Sequence, residues 1–418
     1  MNVYFSGLGG VGIGPLAEIA KDAGHSVAGS DLEENLVTKQ LRIKGIPLSI
    51  GQDGSFLQES HLATPFDWFV HTSALPSDHP ELLLAQRLGI KTAKRDEFLA
   101  FFLSEHKLKL LAISGTHGKT TTTSMAVWAF QQLGVPVSYS VGTTLSFGPS
   151  GVYTPKSEYF IYECDEYDRN FLHFHPDLSL LTSIDYDHPD TYPSEEEYRA
   201  AFRQYIAQSK HTIAWKADLT YLKEVPLDTT WALDNSETLV IPLAGAHNRR
   251  NATLVYKALE YLSIGDATTR VKALESFPGS DRRFEKLQEN LYTDYGHHPK
   301  EIAATLQLAK EISPRVVLVY QPHQNIRQHE IKPSYTNAIF EDADEVYWAP
   351  TYLTREKPGQ PVLSPAELTQ NITTTPVHHT ELTDALWTTI QEHRANGSLV
   401  LLMGAGTIDS WARGHLDA

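Results

Sequence analysis

The chain of 418 residues contains a single cysteine, Cys164, so it cannot form an intramolecular disulfide. A structural zinc site built from several cysteines is excluded for the same reason. The sequence also lacks an uninterrupted apolar run near the roughly 18 residues that a membrane-spanning helix needs, and no basic segment opens it. These absences together predict a soluble protein of the reducing cytoplasm that has no membrane partner.

Basic residues are few relative to acidic ones, with 35 lysines and arginines against 51 aspartates and glutamates. The formal net charge of −16 would repel the phosphates of a nucleic acid. No block of lysine and arginine stands out that could offset this charge locally. The composition therefore predicts that nucleic acid is not a partner.

Strand-like apolar segments alternate with helix-like segments along most of the chain, and this alternation restarts twice. It predicts three consecutive α/β domains: a Rossmann-like domain over 1–106, a P-loop ATPase-like domain over 107–277 and a second Rossmann-like domain over 278–418. Residues 211–244 are mixed in character and hard to assign. In the last domain the pattern also predicts a helix over 334–340.

The first notable motif is a Gly-rich turn between Gly7 and Gly12, which follows the first strand and opens a helix. Asp31 ends the next strand, about 20 residues further on. Such a turn lets backbone N–H groups approach a diphosphate at a helix N-terminus. The pattern favours a nucleotide-type ligand, either a dinucleotide or a nucleotide-sugar, and a plain tight connection between strand and helix is the alternative.

A second Gly-rich turn runs from Gly115 to Thr121, between an apolar strand and an apolar helix. It predicts a phosphate-binding loop, because Lys119 could reach the β- and γ-phosphates and Thr120 offers a hydroxyl for Mg²⁺. The general pattern of such loops has glycine at position 113, where this chain has Ile113. A Thr-rich helix start that is capped by its own hydroxyls is the alternative.

Acidic residues and a histidine follow two later strands, at the edge where the ligands of a parallel sheet collect. The first group runs from Glu163 to Asp168 and contains four carboxylates, and the second runs from Asp185 to His188. Clustered carboxylates repel one another unless a cation or a basic partner is present. A Mg²⁺ site beside the phosphates is therefore predicted, and a solvated acidic loop is the alternative.

These motifs, in this order along nearly the whole chain, resemble the ATP-dependent Mur ligases of peptidoglycan synthesis. The short ATP loop of that family has no glycine where this chain has Ile113. The opening turn with Asp31 is similar to the family's UDP-binding turn. The resemblance also implies that the central domain is shortened over 211–244, where relatives usually carry several more strands and a helix. The resemblance implies that ATP and Mg²⁺ are the cofactors and that L-alanine is joined to UDP-N-acetylmuramate through an acyl phosphate.

The resemblance also implies a ligand for individual residues. ATP is expected to contact Gly115, Thr116, His117, Gly118, Lys119, Thr120, Thr121, His247, Asn248, Asn251, Arg283 and Asp294. The UDP-sugar is expected to contact Gly9, Gly10, Val11, Gly12, Asp31 and Ser73. One metal ion is expected at Thr120 and Glu163, and a second at His188. The amino acid is expected at His297, His323 and Arg327. The catalytic set is expected to be Lys119, Glu163, His188, Arg283 and Asp294.

The chemistry adds two requirements to this picture. A free amino acid is an ammonium ion at pH 7, so a base must remove a proton before the amine can attack. His297, His298 and His323 are the candidates, and one of the adjacent pair could instead order a helix start. Arg327 suits the carboxylate of the amino acid, because a planar guanidinium binds a carboxylate through two hydrogen bonds.

Three other functions compete with this interpretation. Tyr167 in the acidic motif is typical of the related ligase that joins the murein tripeptide to UDP-N-acetylmuramate, whereas the C-terminal motifs favour L-alanine. The turn from Gly7 to Gly12, taken alone, would fit a nicotinamide-dependent oxidoreductase. A non-catalytic UDP-sugar-binding protein would not need Lys119, Glu163 and His188. The oligomeric state is expected to be monomer or homodimer.

Overall fold

The computed structural model describes residues 1–10, 12–226, 228–354 and 356–417. They form two compact units: the first comprises Met1–Leu239 and Asn251–Phe277, and the second comprises Val240–Arg250 and Pro278–Ala418. These described residues form three sheets, in which most neighbouring strands are parallel. This arrangement confirms the predicted α/β class.

The first sheet of the first unit is fully parallel. Its strands are β1 (Asn2–Ser6), β2 (Ser26–Asp31), β3 (Leu48–Ile50), β4 (Trp68–His71) and β5 (Lys91–Lys94), in the order β3-β2-β1-β4-β5. Its helices are α1 (Ile13–Asp22), α2 (Leu36–Ile43), α3 (Ser55–Ala63), α4 (Pro80–Arg87) and α5 (Arg95–Glu105). Because β1 and β2 are parallel neighbours, the turn after β1 and Asp31 at the end of β2 lie at the same edge.

The second sheet of this unit has seven strands. They are β6 (Lys109–Ser114), β7 (Val137–Ser140), β8 (Gly151–Val152), β9 (Tyr159–Glu163), β10 (Leu178–Leu181), β11 (Thr212–Trp215) and β12 (Thr230–Leu233). Their order is β12-β11-β10-β6-β9-β7-β8, and the β7–β8 pair is antiparallel. The helices that follow these strands are α6 (Lys119–Gln132), α7 (Glu195–Gln208), α8 (Lys216–Leu222), α9 (Ala246–Tyr261) and α10 (Ala267–Glu275).

The segment 211–244, which the sequence left hard to assign, contributes regular structure to this sheet. It contains β11, α8 and β12, and both strands extend the parallel array beyond β10. The predicted phosphate-binding loop follows the central strand β6, and the two acidic groups lie at the ends of β9 and β10 on either side of it. The topology thus brings these three segments to one edge.

One hydrophobic core runs through both sheets of the first unit. Helix α5 contributes Phe98 and Phe102, and the second sheet contributes Tyr162, all of which are buried in the same cluster. The Phe102 ring meets Tyr153 edge to face, with ring centroids 6.0 Å apart. Each such aromatic side chain contributes about 1.5–3 kcal/mol on burial, so this shared core fixes the two sheets to each other.

The second unit is built on a six-stranded sheet. Its strands are β13 (Glu285–Gln288), β14 (Leu291–Asp294), β15 (Val316–Tyr320), β16 (Glu345–Trp348), β17 (Val377–His379) and β18 (Leu399–Met403), in the order β13-β14-β18-β15-β16-β17. The β13–β14 pair is antiparallel and the other pairs are parallel. Its helices are α11 (Pro299–Ile312), α12 (Asn325–Ile331), α13 (Pro365–Thr369), α14 (Asp384–Ala395) and α15 (Ile408–Leu416).

The helix predicted over 334–340 is wrong. The segment instead forms two single 3₁₀ turns, Lys332–Ser334 and Asn337–Ile339. Thr336 between them is extended, with φ −120° and ψ 165°, which interrupts any helical run. A β-branched residue tolerates that conformation well, so the apolar spacing around it did not produce a helix.

Within the part of the chain that the structure describes, no helix is both long enough and apolar enough to cross a bilayer.

Candidate active site

The second Gly-rich turn forms a tight loop between β6 and α6. Gly115 has φ +126°, and a Cβ atom there would lie 2.5 Å from Thr182 Oγ1 and 2.6 Å from the Ser183 carbonyl. Gly118, with φ +83°, occupies the left-handed region immediately before the helix. Only glycine combines a positive φ with the absence of a Cβ atom that would clash, so the backbone can approach a phosphate closely.

Neighbouring segments anchor this loop. Thr116 Oγ1 lies 2.8 Å from the Asp185 carbonyl and 2.7 Å from the Tyr198 hydroxyl. The backbone N–H of His117 donates to Ser183 Oγ at 3.1 Å, and Thr121 lies on the first turn of α6. The structure thus brings the predicted loop residues together at the end of β6.

The Lys119 ammonium lies inside the loop, with a side chain only 13% exposed. Its Nζ donates to the carbonyl of Gly115 at 2.7 Å, to that of Thr116 at 3.3 Å and to Glu166 Oε2 at 2.8 Å. Burial lowers the pKa of Lys119, but attraction to Glu166 and Asp165 outweighs that effect and raises it. Lys119 is therefore a permanent positive charge at the loop.

Thr120 and Glu163 provide adjacent oxygen atoms beside this charge. Thr120 Oγ1 donates to Glu163 Oε1 at 2.8 Å, and the backbone N–H of Gly142 donates to Glu163 Oε2 at 3.0 Å. The hydroxyl comes from the start of α6, which follows β6, and the carboxylate comes from the end of β9, the neighbour of β6 in the sheet. A hard cation prefers such a pair of oxygen ligands.

Glu166 is a member of this site that the sequence did not single out. Its side chain is fully buried, and Oε1 lies 3.6 Å from His188 Nε2. His188 has φ +58°, and its ring contacts Tyr167 with centroids 5.1 Å apart. The only sequence signal for Glu166 was its membership of the acidic group, because its partner Lys119 is 47 residues away.

Asp168 connects the acidic group to the first sheet. Its Oδ2 accepts a hydrogen bond from Lys94 Nζ at 2.8 Å. Burial raises the pKa of Asp168, but its hydrogen bonds with Lys94 and Ser73 outweigh that effect and lower it. Ser73, a predicted UDP-sugar residue, therefore lies beside the acidic group of the second sheet.

The first Gly-rich turn is held against the end of β2. The backbone N–H groups of Gly7 and Leu8 donate to the Ser30 carbonyl at 2.9 and 3.0 Å, and Gly9 N–H donates to Asp31 Oδ2 at 2.6 Å. Gly10 lies within this turn, and Gly12 is the N-cap of α1. Val11 lies outside the described residues. The predicted UDP-sugar residues that are described from this turn thus share one edge with Asp31.

A buried carboxylate supports the same edge. Glu81 on α4 is 1% exposed, and its oxygens accept hydrogen bonds from the hydroxyls of Tyr4, Ser6 and Ser30, each at 2.7 Å. Gln52 Nε2 donates to Ser6 Oγ at 2.9 Å and joins the same network. The sequence did not reveal Glu81, since its partners come from distant strands.

Asn251 also belongs to the first unit and lies beside the phosphate loop. A Cβ atom on Gly118 would be 3.1 Å from Asn251 Oδ1. His247 and Asn248, from the same predicted ATP motif, belong to the second unit. There, burial lowers the pKa of His247 to about 4, and Asn248 Nδ2 donates to the Ala244 carbonyl at 3.1 Å.

In the second unit, Asp294 at the end of β14 connects the residue before β13 with the segment after β14. Its Oδ1 accepts from the backbone N–H of Gly296 at 2.7 Å, and its Oδ2 accepts from that of Phe284 at 2.8 Å. Burial raises the pKa of Asp294 to about 6, although Arg283 opposes the change. Arg283 lies over the ring of Tyr295, 5.3 Å from its centroid.

Histidines cluster near the start of α11. The rings of His297 and His323 have centroids 5.6 Å apart, and His323 stacks on Tyr352 at 5.7 Å. His298 is the N-cap of α11, and its Nδ1 accepts from the Lys300 backbone N–H at 3.3 Å. Arg327 lies on α12, the helix that follows His323. The structure thus gives His298 a capping role and leaves His297 and His323 side by side.

The fold and the loop together define a class of protein. A buried lysine in a Gly-rich loop, with a hydroxyl and a carboxylate beside it at the carboxyl edge of a parallel sheet, is the arrangement of a nucleotide-dependent phosphoryl-transfer enzyme.

Family models narrow this class. The model described as "Mur ligase family, catalytic domain" matches residues 2–107, "Mur ligase middle domain" matches 113–229, and "Mur ligase, glutamate ligase domain" matches 282–406. A UDP-N-acetylmuramate–L-alanine ligase of Thermosynechococcus vestitus is 32% identical, over 97% of this chain and 93% of the relative. The chain belongs to the Mur ligase family, and it is an ATP-dependent ligase that forms amide bonds.

Solved structures share the fold. A UDP-N-acetylmuramate-alanine ligase from Thermotoga maritima superposes with a TM-score of 0.75 at 24% identity, covering 100% of this chain and 98% of the other. A murein peptide ligase from Psychrobacter arcticus superposes with a TM-score of 0.64 at 22% identity, with the same coverage.

Proposed function

We propose that this ligase joins L-alanine to UDP-N-acetylmuramate in the synthesis of the peptidoglycan precursor. The observation that carries the proposal is the 32% identity, over 97% of the chain, to a relative named for that reaction. The buried Lys119 beside the Thr120–Glu163 pair supports the ATP-dependent step. In this proposal residues 1–106 bind the UDP-sugar, 107–277 form a shortened ATP-binding domain and 278–418 bind the amino acid.

The reaction would begin with phosphoryl transfer to the carboxylate of the UDP-sugar. A carboxylate oxygen forms a bond to the γ-phosphorus as the bond between that phosphorus and the β–γ bridging oxygen breaks, which leaves an acyl phosphate and ADP. Such a transfer needs positioning and charge neutralisation more than covalent help. Lys119 would supply one positive charge, and the loop N–H groups would hold the phosphates.

The residues present fit a Mg²⁺ ion. Thr120 Oγ1 and Glu163 Oε1 are adjacent oxygens, and the buried Glu166 Oε1 has no hydrogen-bond partner among the described residues. Among those residues, no group of three or more His, Cys, Asp and Glu side chains is placed to hold a metal alone. That is the expected situation for Mg²⁺, which usually takes one or two carboxylates with phosphates and water.

We propose Thr120 and Glu163 as ligands of one Mg²⁺ and His188 as a ligand of a second. When bound, these ions would neutralise the charge of the two anionic groups that must meet. Arg283 and Asp294 would act from the third predicted domain, where they would help to exclude water from the acyl phosphate.

The second chemical step would be attack of the neutral amine on the acyl carbonyl, with loss of phosphate. His297, His298 and His323 are the candidates for the base. The rings of His297 and His323 lie side by side, and His298 caps α11 through Nδ1. Arg327 would bind the carboxylate of the amino acid. We further propose a cytoplasmic monomer or homodimer whose partners are its small-molecule substrates.

A phosphate-release assay tests this function. Purified protein with UDP-N-acetylmuramate, L-alanine, ATP and Mg²⁺ should release phosphate and form one new amide product. Lys119→Ala should abolish the release, and Lys272→Ala, at an exposed position of α10, should leave it unchanged. An unaltered rate in Lys119→Ala would remove the ATP site from this loop.

The related murein tripeptide ligase activity is the second candidate, because the acidic motif carries Tyr167, a residue typical of that ligase, and its ring contacts His188. The same assay distinguishes the two when L-alanine, L-serine, glycine and the tripeptide are compared. The proposal predicts the highest kcat/KM with L-alanine, and a preference for the tripeptide would replace it.

A further inference from the structure

All three N–H groups of the Lys119 ammonium are used inside the protein. They donate to the Gly115 carbonyl at 2.7 Å, the Thr116 carbonyl at 3.3 Å and Glu166 Oε2 at 2.8 Å. An ammonium has three donors and no more. A phosphate oxygen can therefore gain a hydrogen bond from Lys119 only if one of these three is given up.

The bond to Glu166 is the one that a phosphate would replace. Both carbonyl acceptors belong to the loop backbone and carry no net charge, whereas Glu166 is a carboxylate with a fully buried side chain. A carboxylate and a phosphate on the same ammonium repel each other in a site of low dielectric. Release of Glu166 relieves this repulsion, and release of a carbonyl does not.

The carboxylate of Glu166 would then need another positive partner. Its Oε1 already lacks a hydrogen bond from any described residue, and His188 Nε2 lies 3.6 Å from it. A buried carboxylate that loses its positive partner is strongly destabilising. A cation beside His188 would restore the balance, and His188 is the residue proposed above to hold the second metal ion.

We propose that Glu166 is a positioning residue which holds Lys119 in a resting ion pair and exchanges it for the phosphates of the nucleotide. The charge of Glu166 is afterwards balanced by the cation at His188. The exchange makes tight nucleotide binding depend on a divalent cation. This inference rests on the proposed ATP site at Lys119.

Binding of ADP without divalent metal tests the exchange directly. Isothermal titration calorimetry in EDTA compares the wild type with Glu166→Gln, Lys119→Ala and the double variant. Glu166→Gln is expected to bind metal-free ADP about tenfold more tightly, since one competing negative charge is gone. The factor by which added Mg²⁺ increases the affinity for ADP is expected to be about tenfold smaller in Glu166→Gln than in the wild type.

Asp165→Asn is the matched control for charge. Asp165 Oδ1 lies 3.8 Å from Lys119 Nζ, so this variant removes the same charge without removing the hydrogen bond. It should tighten ADP binding less than Glu166→Gln does. In the Lys119→Ala background, Glu166→Gln should increase the affinity for ADP by a smaller factor than it does in the wild type. A variant that only damaged the fold would bind ADP more weakly, whereas the exchange predicts tighter binding.

The outcomes separate the two proposals. If Lys119→Ala binds ADP as tightly as the wild type, the proposed ATP site is wrong. If Lys119→Ala loses binding but Glu166→Gln binds metal-free ADP no more tightly than the wild type or Asp165→Asn, the exchange alone is wrong. Circular dichroism checks the fold of each variant. Glu166→Asp replaces Glu166→Gln in this test if the latter does not fold. Its side chain is one methylene shorter, so it should also bind metal-free ADP more tightly than the wild type.

Discussion

Lys94 Nζ donates a hydrogen bond to Asp168 Oδ2 at 2.8 Å, which joins the end of β5 to the acidic group after β9. Asp168 and Arg169 both have left-handed backbone conformations, with φ of 53° and 57°. Non-glycine residues in that region are strained, and the strain persists only where the surroundings hold it. The ion pair therefore helps to fix a loop that would otherwise relax.

Lys94→Met removes this ion pair and keeps most of the side-chain volume. Both partners are 40% exposed, so the pair contributes no more than about 1 kcal/mol. We expect kcat/KM for UDP-N-acetylmuramate to fall by at most about fivefold. Initial rates at saturating ATP and L-alanine measure this change. Lys109→Met, which removes the similarly exposed Lys109–Glu158 pair, should have no effect; a larger loss in Lys94→Met would mean that Lys94 contacts the substrate.

Thr120→Val tests the oxygen pair beside Lys119. The variant keeps the shape of the side chain and removes the hydroxyl that donates to Glu163 Oε1. The Mg²⁺ concentration for half-maximal activity should rise about 10- to 100-fold, the usual effect of disturbing a metal site. Thr220→Val, which removes a hydroxyl bonded to the Lys216 carbonyl on α8, is the control. An unchanged Mg²⁺ requirement in Thr120→Val would exclude this hydroxyl from the metal site.

Asp294→Asn tests the buried carboxyl of the second unit by its pH dependence. The pKa of Asp294 is raised from 3.8 to about 6, chiefly by burial, so folding favours the protonated form. The stability that this group contributes is complete below pH 3.8 and is lost as the pH rises through about 6. The gap between the two pKa values corresponds to about 3 kcal/mol.

Urea midpoints at pH 4 and pH 7 measure this effect. Between these values the wild type should lose up to that amount of stability relative to Asp294→Asn. Glu341→Gln, at an exposed carboxyl, should follow the wild type at both pH values. If Asp294→Asn also followed the wild type, the carboxyl of Asp294 would not be the group that titrates.

Arg327→Lys tests recognition of the amino acid. Lysine keeps the positive charge but cannot make two parallel hydrogen bonds to a carboxylate. The KM for L-alanine should rise about tenfold or more, whereas the KM for ATP should stay within about twofold. Arg315→Lys on the same unit is the control. Equal rises in both KM values would show that Arg327 supports the fold instead of the amino acid.

The fold was predictable where local pattern and chain order agree. The loop from Gly115 to Gly118 follows an apolar strand and precedes a helix, and the structure has this order around β6 and α6. The segment 211–244 was not predictable, since β11 and β12 have four residues each and are defined by parallel pairing with β10 and with each other. Pairing between distant segments leaves little trace in a short local sequence.

The residues of the candidate site also differ in whether the sequence alone could identify them. Lys119, Thr120 and Glu163 could be found because each lies at or just after the end of a strand, at the ligand edge of a parallel sheet. Their roles stay predictions until the variants are measured. Glu166 could not be distinguished from the other acids of its group, because the difference lies in which carboxylate reaches Lys119 in three dimensions.

Glu81 connects residues that sequence comparison would treat as independent. Its carboxylate is solvated by the hydroxyls of Tyr4, Ser6 and Ser30 in place of water. Loss of any one hydroxyl leaves the charge poorly solvated, and loss of the carboxylate leaves the buried hydroxyls without an acceptor. Each single change is therefore destabilising. During evolutionary drift these four positions are therefore constrained to change together, for example by passing jointly to an apolar set.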